Sequence, residues 1–156
     1  MVGRKSRFWD STRILTPKKM DEPAENKVRG TYYESLFRTE CLNRGFNVSV
    51  PEGDYLGYDV IVESKGGLLR TCQVKGTRSL DPNNRWAITL TRGSGRKKPL
   101  GQVDFLAAYV DYPDVRSWYV IPRAEIGNVS SIKLYPANPN SRGRFESYRH
   151  AFHLLG

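Results

Sequence analysis

The segment from Gly57 to Thr77 places an acid, an amide and an amine at positions where they could act together. Its sequence, GYDVIVESKGGLLRTCQVKGT, is typical of two strands joined at a glycine pair. Gln73 and Lys75 are two residues apart in the second predicted strand, so their side chains share one face. Whether Asp59 of the first strand shares that face depends on the turn between the strands.

A two-residue turn at Gly66-Gly67 would pair Asp59 with Val74, which lies on the wrong face. A three-residue turn over residues 65–67 pairs Asp59 with Gln73 instead. That turn needs a left-handed residue at its end, and Gly67 supplies one. We therefore predict the three-residue turn, or an equivalent bulge, and with it the convergence of Asp59, Gln73 and Lys75.

The predicted cluster has the composition of a magnesium site. The Asp59 carboxylate, the Gln73 amide oxygen and the backbone carbonyl of Val74 are hard oxygen donors, which suit Mg²⁺, with Mn²⁺ as an alternative. Such a cation lowers the pKa of a bound water and stabilises charge on a phosphate. Lys75 could orient or deprotonate an attacking water, or offset charge at the phosphate. The competing interpretation is ordinary polar decoration of a surface hairpin, because the pattern D-x13-Q-x-K is weak by itself.

A helix is predicted from about Val28 to Arg44, with Asn26 as its N-cap and Gly45 at its left-handed end. Apolar residues recur along it at helical spacing. Glu34 borders this apolar stripe, whereas a solvated acid would sit better on the far face. Glu34 could therefore supply a further carboxylate to the predicted metal site.

The remaining elements predict an α/β fold, with one mixed sheet flanked by helices. Further strands are expected at FNVSVP, at RWAITLT near residues 85–91, and at DFLAAYVD and RSWYVIP, residues 104–111 and 116–122. The last two have the near-continuous apolar character of strands buried on both faces. A C-terminal helix is expected from the stripe Phe145, Tyr148, Phe152 and Leu155.

Other polar residues give weaker signals. Asp104, which opens a predicted central strand, could be polar support or face a substrate. Glu52 or Asp54 could approach the metal from the preceding loop. His150 and His153 are a structural pair rather than a metal site. Cys41 and Cys72 are expected to be reduced, buried and structural.

The charge of the chain indicates a polyanionic partner, usually nucleic acid. Twenty-five basic residues outnumber sixteen acidic ones, for a net charge of +9 over 156 residues. The excess is concentrated near the N-terminus and in RGSGRKK at residues 92–98. We expect these two runs to contact phosphates, through Arg4, Lys5, Arg7, Arg13, Arg92, Arg96, Lys97 and Lys98.

The expected organisation is a basic arm, residues 1–26, followed by a single domain, residues 27–156. No stretch is apolar and long enough to span a bilayer, so no membrane partner is expected. The N-terminus lacks the apolar segment of an export signal, which predicts a cytoplasmic location.

The order of a helix Glu, a strand Asp and a Gln-x-Lys resembles the PD-(D/E)XK nuclease superfamily. The resemblance covers roughly residues 29–122 and is nearest to the group I intron-associated, or homing, branch, with archaeal Holliday-junction resolvases more distant. It implies a restriction-endonuclease-like fold and a nuclease domain whose catalytic residues are Glu34, Asp59, Gln73 and Lys75. Gln73 stands where Glu is commoner, which puts tight binding of a second metal in doubt.

The resemblance further implies magnesium-dependent hydrolysis of phosphodiester bonds in double-stranded DNA, in a prokaryotic or phage setting. The alternatives are a structure-selective resolvase acting on branched DNA, and a non-catalytic DNA-binding module with the same fold. Because cutting both strands needs two sites, a homodimer or homotetramer is expected.

Overall fold

A computed structural model describes residues 22–53, 55–91 and 100–156. The predicted phosphate contacts in the N-terminal run and in residues 92–98, together with Asp54, lie outside these residues. In chain order the elements are α1 (Glu22–Asn43), β1 (Asn47–Ser49), β2 (Val60–Glu63), β3 (Leu69–Thr77), β4 (Trp86–Thr89), β5 (Phe105–Val110), β6 (Ser117–Pro122), α2 (Arg123–Ile126) and β7 (Ser131–Leu134), followed by two 3₁₀ turns at Glu146–Tyr148 and Phe152–Leu155.

The main sheet has five strands in the order β1-β2-β3-β5-β6. β3 and β5 are parallel, with Cys72 opposite Phe105, and the other neighbouring pairs are antiparallel. The predicted α/β fold with a mixed sheet is therefore confirmed. The expectation of one sheet is wrong, because β4 leaves the main sheet and pairs with β7 as a separate two-stranded sheet.

The main sheet separates two hydrophobic clusters. On one face, Tyr33, Phe37 and Cys41 of α1 pack against alternate residues of the strands. On the other face, the small sheet and α2 cover the remaining strand residues, including Leu106 and Ile121. All six residues of β5 are buried as a result, which confirms the prediction from its continuous apolar run.

Helix α1 begins earlier than predicted and ends where predicted. It starts at Glu22, so Asn26 is an interior residue and not the N-cap. Pro23 falls in the first turn, where a helix tolerates the missing N–H. At the other end, Gly45 has φ +84°, and the Phe46 N–H donates to the Cys41 carbonyl at 3.0 Å, as in a Schellman motif.

The predicted C-terminal α-helix is wrong. The segment forms two 3₁₀ turns, and His150, with φ +54°, separates them. Phe145 packs into the cluster beside α2, whereas Phe152 and Leu155 pack into the cluster under α1. The apolar side chains of this segment are therefore buried because the chain wraps around the edge of the sheet, and not because they share one helix face.

Cys41 and Cys72 are free and buried, which confirms the prediction for both. Burial raises the pKa of the Cys41 thiol to about 12 and raises the pKa of Cys72 as well. Within the described ranges, no helix is long and apolar enough to cross a membrane.

Candidate active site

The turn between β2 and β3 is the three-residue turn that the sequence predicts. The Ser64 N–H donates to the Leu68 carbonyl at 2.9 Å and closes a loop over residues 65–67. Gly67 has φ +80°, the left-handed conformation that the turn requires. The ladder then pairs Glu63 with Leu69 and ends with Val60 opposite Cys72.

Asp59 lies in a bend just before β2. Its N–H donates to the Cys72 carbonyl at 2.9 Å, so Asp59 and Val60 both face Cys72, the arrangement of a β-bulge. The Asp59 carboxylate Oδ2 accepts a hydrogen bond from the Val74 N–H at 2.7 Å. Asp59 is therefore not paired directly with Gln73 in the ladder, but its carboxylate is held within one peptide unit of Gln73.

The β3 backbone at Val74 faces this carboxylate. In an extended strand the N–H and the C=O of one residue point to the same side, as the exchanged hydrogen bonds of an antiparallel pair require. Because the Val74 N–H points to Asp59, the Val74 carbonyl also points to the Asp59 side of β3. The carbonyl oxygen of Val74, the predicted metal ligand, therefore lies on the same side of β3 as the Asp59 carboxylate.

Gln73 is 3% exposed, and its amide oxygen Oε1 accepts no hydrogen bond from the described residues. Leaving a buried acceptor unpaired costs about 1–3 kcal/mol. Cys72 and Val74 belong to the cluster under α1, so alternation places Gln73 and Lys75 on the opposite face of β3. Gln73 and Lys75 share a face, as predicted.

A cleft of about 370 Å³ opens between α1 and the segment before β2. Glu34 and Asp59 line it from opposite sides, and Glu52 lines it as well. The structure thus brings Glu34 to Asp59, whereas Gln73 and Lys75 are not among the residues that line this cleft. Gln73 and Lys75 lie on the face of β3 away from α1, whereas Glu34 belongs to α1, so the four predicted residues do not share one sheet face.

A close packing contact sets the position of α1. The ring of Tyr33, which precedes Glu34, packs directly over Gly76, which follows Lys75, where no side chain would fit. The Tyr33 hydroxyl donates to the Asp111 carboxylate at 3.5 Å. Asp111 is buried and pairs with Arg78 at 2.6 Å and with Arg116 at 3.2 Å. The helix carrying Glu34 and the strand carrying Lys75 are therefore tied together.

The donor set fits a divalent cation. The carboxylate of Asp59, the unpaired Oε1 of Gln73 and the carbonyl of Val74 are all hard oxygen ligands. Among the described residues, no three His, Cys, Asp or Glu side chains form a metal-binding group.

Of the weaker candidates, Asp104 has a structural role in the described residues. Asp104 accepts hydrogen bonds from the N–H and the hydroxyl of Thr71, at 2.8 and 3.1 Å, so it supports the start of the β3–β5 pairing. His150 and His153 are both exposed, and no metal-binding group includes them.

Lys27 and Thr31 were missed by the sequence analysis. Both line the cleft from the face of α1 that carries Glu34. Their spacing from Glu34, seven and three residues, is the helical period that would have revealed them. The predicted helix began at Val28, so Lys27 fell outside it.

A comparison of the sequence with family profiles agrees with this fold and these residues, a mixed sheet with Asp59 and a Gln-x-Lys beside a helix Glu. The sequence profile described as PD-(D/E)XK endonuclease matches residues 24–155. The chain belongs to this endonuclease family.

Among solved structures, the chain is similar to a bacterial homing endonuclease, I-Ssp6803I. The sequences are 28% identical, the TM-score is 0.71, and the match covers 83% of this chain and 91% of that one. This similarity confirms the resemblance to the homing branch. No curated protein matches the sequence.

Proposed function

We propose that the protein is a divalent-metal-dependent DNA endonuclease of the homing type, which hydrolyses phosphodiester bonds at specific sites. The single observation that carries this proposal is the Asp59 carboxylate fixed on the N–H of Val74, the residue next to Gln73, whose buried amide oxygen is unpaired among the described residues. Family membership and the homing endonuclease neighbour support the nuclease activity and a DNA substrate.

Asp59, Gln73 and the Val74 carbonyl would hold the cation, Mg²⁺ by preference, and Glu34 would add a carboxylate from α1. A divalent cation held there supplies Lewis-acid stabilisation of phosphate charge and lowers the pKa of a water ligand. The Val74 N–H fixes the orientation of the Asp59 carboxylate before substrate arrives.

Lys75 is proposed to lie at the scissile phosphate. Its ammonium group would offset negative charge on the phosphoryl oxygens and orient the attacking water. Hydrolysis forms a bond from the water oxygen to phosphorus and breaks the bond to the leaving sugar oxygen. Breaking both strands of a duplex needs two such sites, so we propose that the enzyme acts as a dimer or tetramer.

A cation bound there would offset the cost of burying the unpaired amide oxygen of Gln73. An amide oxygen without a donor destabilises the folded chain unless a ligand reaches it. Surface decoration would leave Gln73 exposed, whereas this side chain is 3% exposed.

The test is incubation with supercoiled plasmid, a linear duplex and a four-way junction, each with Mg²⁺ or with EDTA. We expect discrete cuts in plasmid and linear DNA with Mg²⁺ only. A strong preference for the junction would indicate a resolvase, and binding without cleavage would indicate a non-catalytic module.

Two variants separate the chemistry from the fold. Asp59→Ala should abolish cleavage while DNA affinity stays near that of the wild type or rises, because a negative charge facing phosphate is removed. Asp59→Asn is the matched variant, because its amide oxygen can still accept from Val74 N–H while the charge is lost. Full activity of both variants in Mg²⁺ would contradict the mechanism.

A further inference from the structure

The loop between β1 and β2 carries large apolar side chains that face solvent. Tyr55 is 84% exposed, and Val50 and Leu56 are about half exposed. Single exposed apolar residues are ordinary, but three in one short loop form a patch that marks an interaction surface. Val50 also lines the cleft together with Glu34 and Asp59.

The ring of Tyr55 lies beside the Gly53 backbone. A Cβ placed on Gly53 would lie 2.5 Å from Cε1 of Tyr55, so one edge of the ring occupies that space. Gly53 itself lines the cleft. At the other end of the loop, a Cβ on Gly101 would lie 3.3 Å from the Gly57 carbonyl oxygen, so these two glycines lie close together. Tyr55 therefore presents an exposed aromatic ring next to the cleft.

The cleft combines polar and apolar side chains. The α1 wall presents Lys27, Thr31 and Glu34, and the loop wall presents Val50, Pro51 and Tyr58 together with the acids Glu52 and Asp59. A polynucleotide offers the matching pair of surfaces, a charged backbone and the apolar faces of its bases.

Tyr55 is close enough to the site to touch the same DNA. Asp59 lies four positions further along the chain, a reach of at most about 14 Å. Base pairs are spaced by about 3.4 Å, so the ring falls within roughly four steps of a phosphate at Asp59.

We propose that Tyr55 stacks on, or wedges beside, a base of the DNA near the scissile phosphate, with Leu56 as its apolar support. This inference rests on the proposed endonuclease function and adds a positioning residue to it. Such contacts favour base steps that unstack easily, so Tyr55 would contribute to the choice of cut site through DNA deformability.

The first experiment measures affinity for a short linear duplex in EDTA, where no cleavage occurs. Tyr55→Ala should weaken binding by roughly five- to 150-fold, the range found when one base loses an aromatic partner, and Tyr55→Phe should restore it. Tyr32→Ala is the matched control. Tyr32 is also a partly exposed tyrosine, 44% exposed, but it lies on a different face of α1 and does not line the cleft.

The second experiment detects stacking directly. Tyr55→Trp should lose indole fluorescence when the duplex binds, because a stacked base quenches the indole. Tyr32→Trp, with the native tryptophans kept in both variants, should not lose it. Thermal unfolding of the Tyr55 variants should match the wild type, since the side chain is almost fully exposed.

The outcomes separate this inference from the proposed function. If Tyr55→Ala binds DNA as the wild type does while the wild type cuts plasmid, the stacking role is overturned and the nuclease function stands. If Tyr55→Ala loses affinity but the wild type cuts nothing, stacking stands and the nuclease function falls. If Tyr55→Ala instead changes the oligomeric state in light scattering, with DNA affinity per assembled particle unchanged, the patch is an interface between copies and the stacking role is overturned.

Discussion

Substitution of Gly76 by alanine should separate α1 from β3 at the point where their spacing matters for the proposed site. A Cβ at Gly76 would lie 2.8 Å from Cζ of Tyr33 and closer still to two other ring carbons. Carbon atoms in contact need about 3.5 Å, so the ring and its turn of α1 must withdraw by about 0.7 Å or more. Glu34 and Lys75 are the chain neighbours of these two residues.

The expected loss of stability is modest. Overpacking of this kind costs about 1–3 kcal/mol, and the lower entropy of an unfolded chain with alanine returns about 0.4–1 kcal/mol. The net destabilisation of about 1–2 kcal/mol lowers the unfolding temperature by roughly 2–8 °C for a domain of this size. The loss of activity should be much larger, because a misplacement of about 1 Å can reduce a rate by about 100-fold.

The assay compares single-turnover cleavage of plasmid in Mg²⁺ with DNA affinity in EDTA and with thermal unfolding. Gly66→Ala is the control, since its Cβ would meet nothing closer than Ser64 Oγ at 3.8 Å. Adding Tyr33→Leu to Gly76→Ala should recover stability relative to the sum of the single variants. Wild-type cleavage and an unchanged unfolding temperature in Gly76→Ala would refute the argument that this contact positions the site.

Three further predictions concern the ligand, the substrate and pH. Gln73→Glu should keep some cleavage and shift the metal preference towards Mn²⁺. If Gln73→Glu and Gln73→Ala are equally inactive, Gln73 does not act simply as an oxygen ligand. Deletion of residues 1–19 should flatten the dependence of log affinity on log salt by about 0.9 per lost phosphate contact, and so should Lys97→Ala combined with Lys98→Ala. An unchanged slope in both variants would mean that the DNA binds elsewhere on the surface. At low salt the deletion variant should still cleave DNA, whereas the double substitution should also impair cleavage. Burial and the neighbouring Glu146 raise the pKa of Tyr119 in the folded protein. Above about pH 10 the unfolded chain therefore binds fewer protons than the folded chain, and the free energy of unfolding should fall as the pH rises. Urea titrations should show a weaker decline in Tyr119→Phe.

Local rules predicted the hairpin well. The turn over residues 65–67 follows from the need for a left-handed residue at its end, which Gly67 satisfies. The end of α1 at Gly45 follows from the same preference. Both features depend on a few adjacent residues, which a sequence displays directly.

The errors arise where distant parts of the chain decide the structure. β4 was expected in the main sheet, but Ile88 finds its partner in Ile132, more than forty residues along the chain. The start of α1 differs from the prediction because a proline in an acidic stretch is typical of an irregular arm, although a first-turn proline is compatible with a helix. The arm itself stays a prediction for residues 1–21, and the boundary at residue 26 lies inside α1.

The candidate site was predicted in its residues but not in its shape. The identities of Glu34, Asp59, Gln73 and Lys75 came from their types and order, and their roles stay proposals. The bulge at Asp59 depends on how β2 separates from β3, and the cleft depends on where α1 lies relative to the segment before β2. Neither can be derived from the period of a single strand or helix.

The C-terminal segment has a consequence for how copies of the sheet can meet. β6 is an outer strand of the five-stranded sheet, and Arg149 forms a bridge with Tyr119 while the His150 N–H donates to the Trp118 carbonyl at 2.7 Å. The chain thereby occupies hydrogen-bonding positions that another strand would need for edge-to-edge growth. The opposite outer strand, β1, is only three residues long and offers few such positions. Association of subunits through a continuous intermolecular sheet is therefore disfavoured. Arg149 and His150 likewise oppose fibril-like stacking of the native fold.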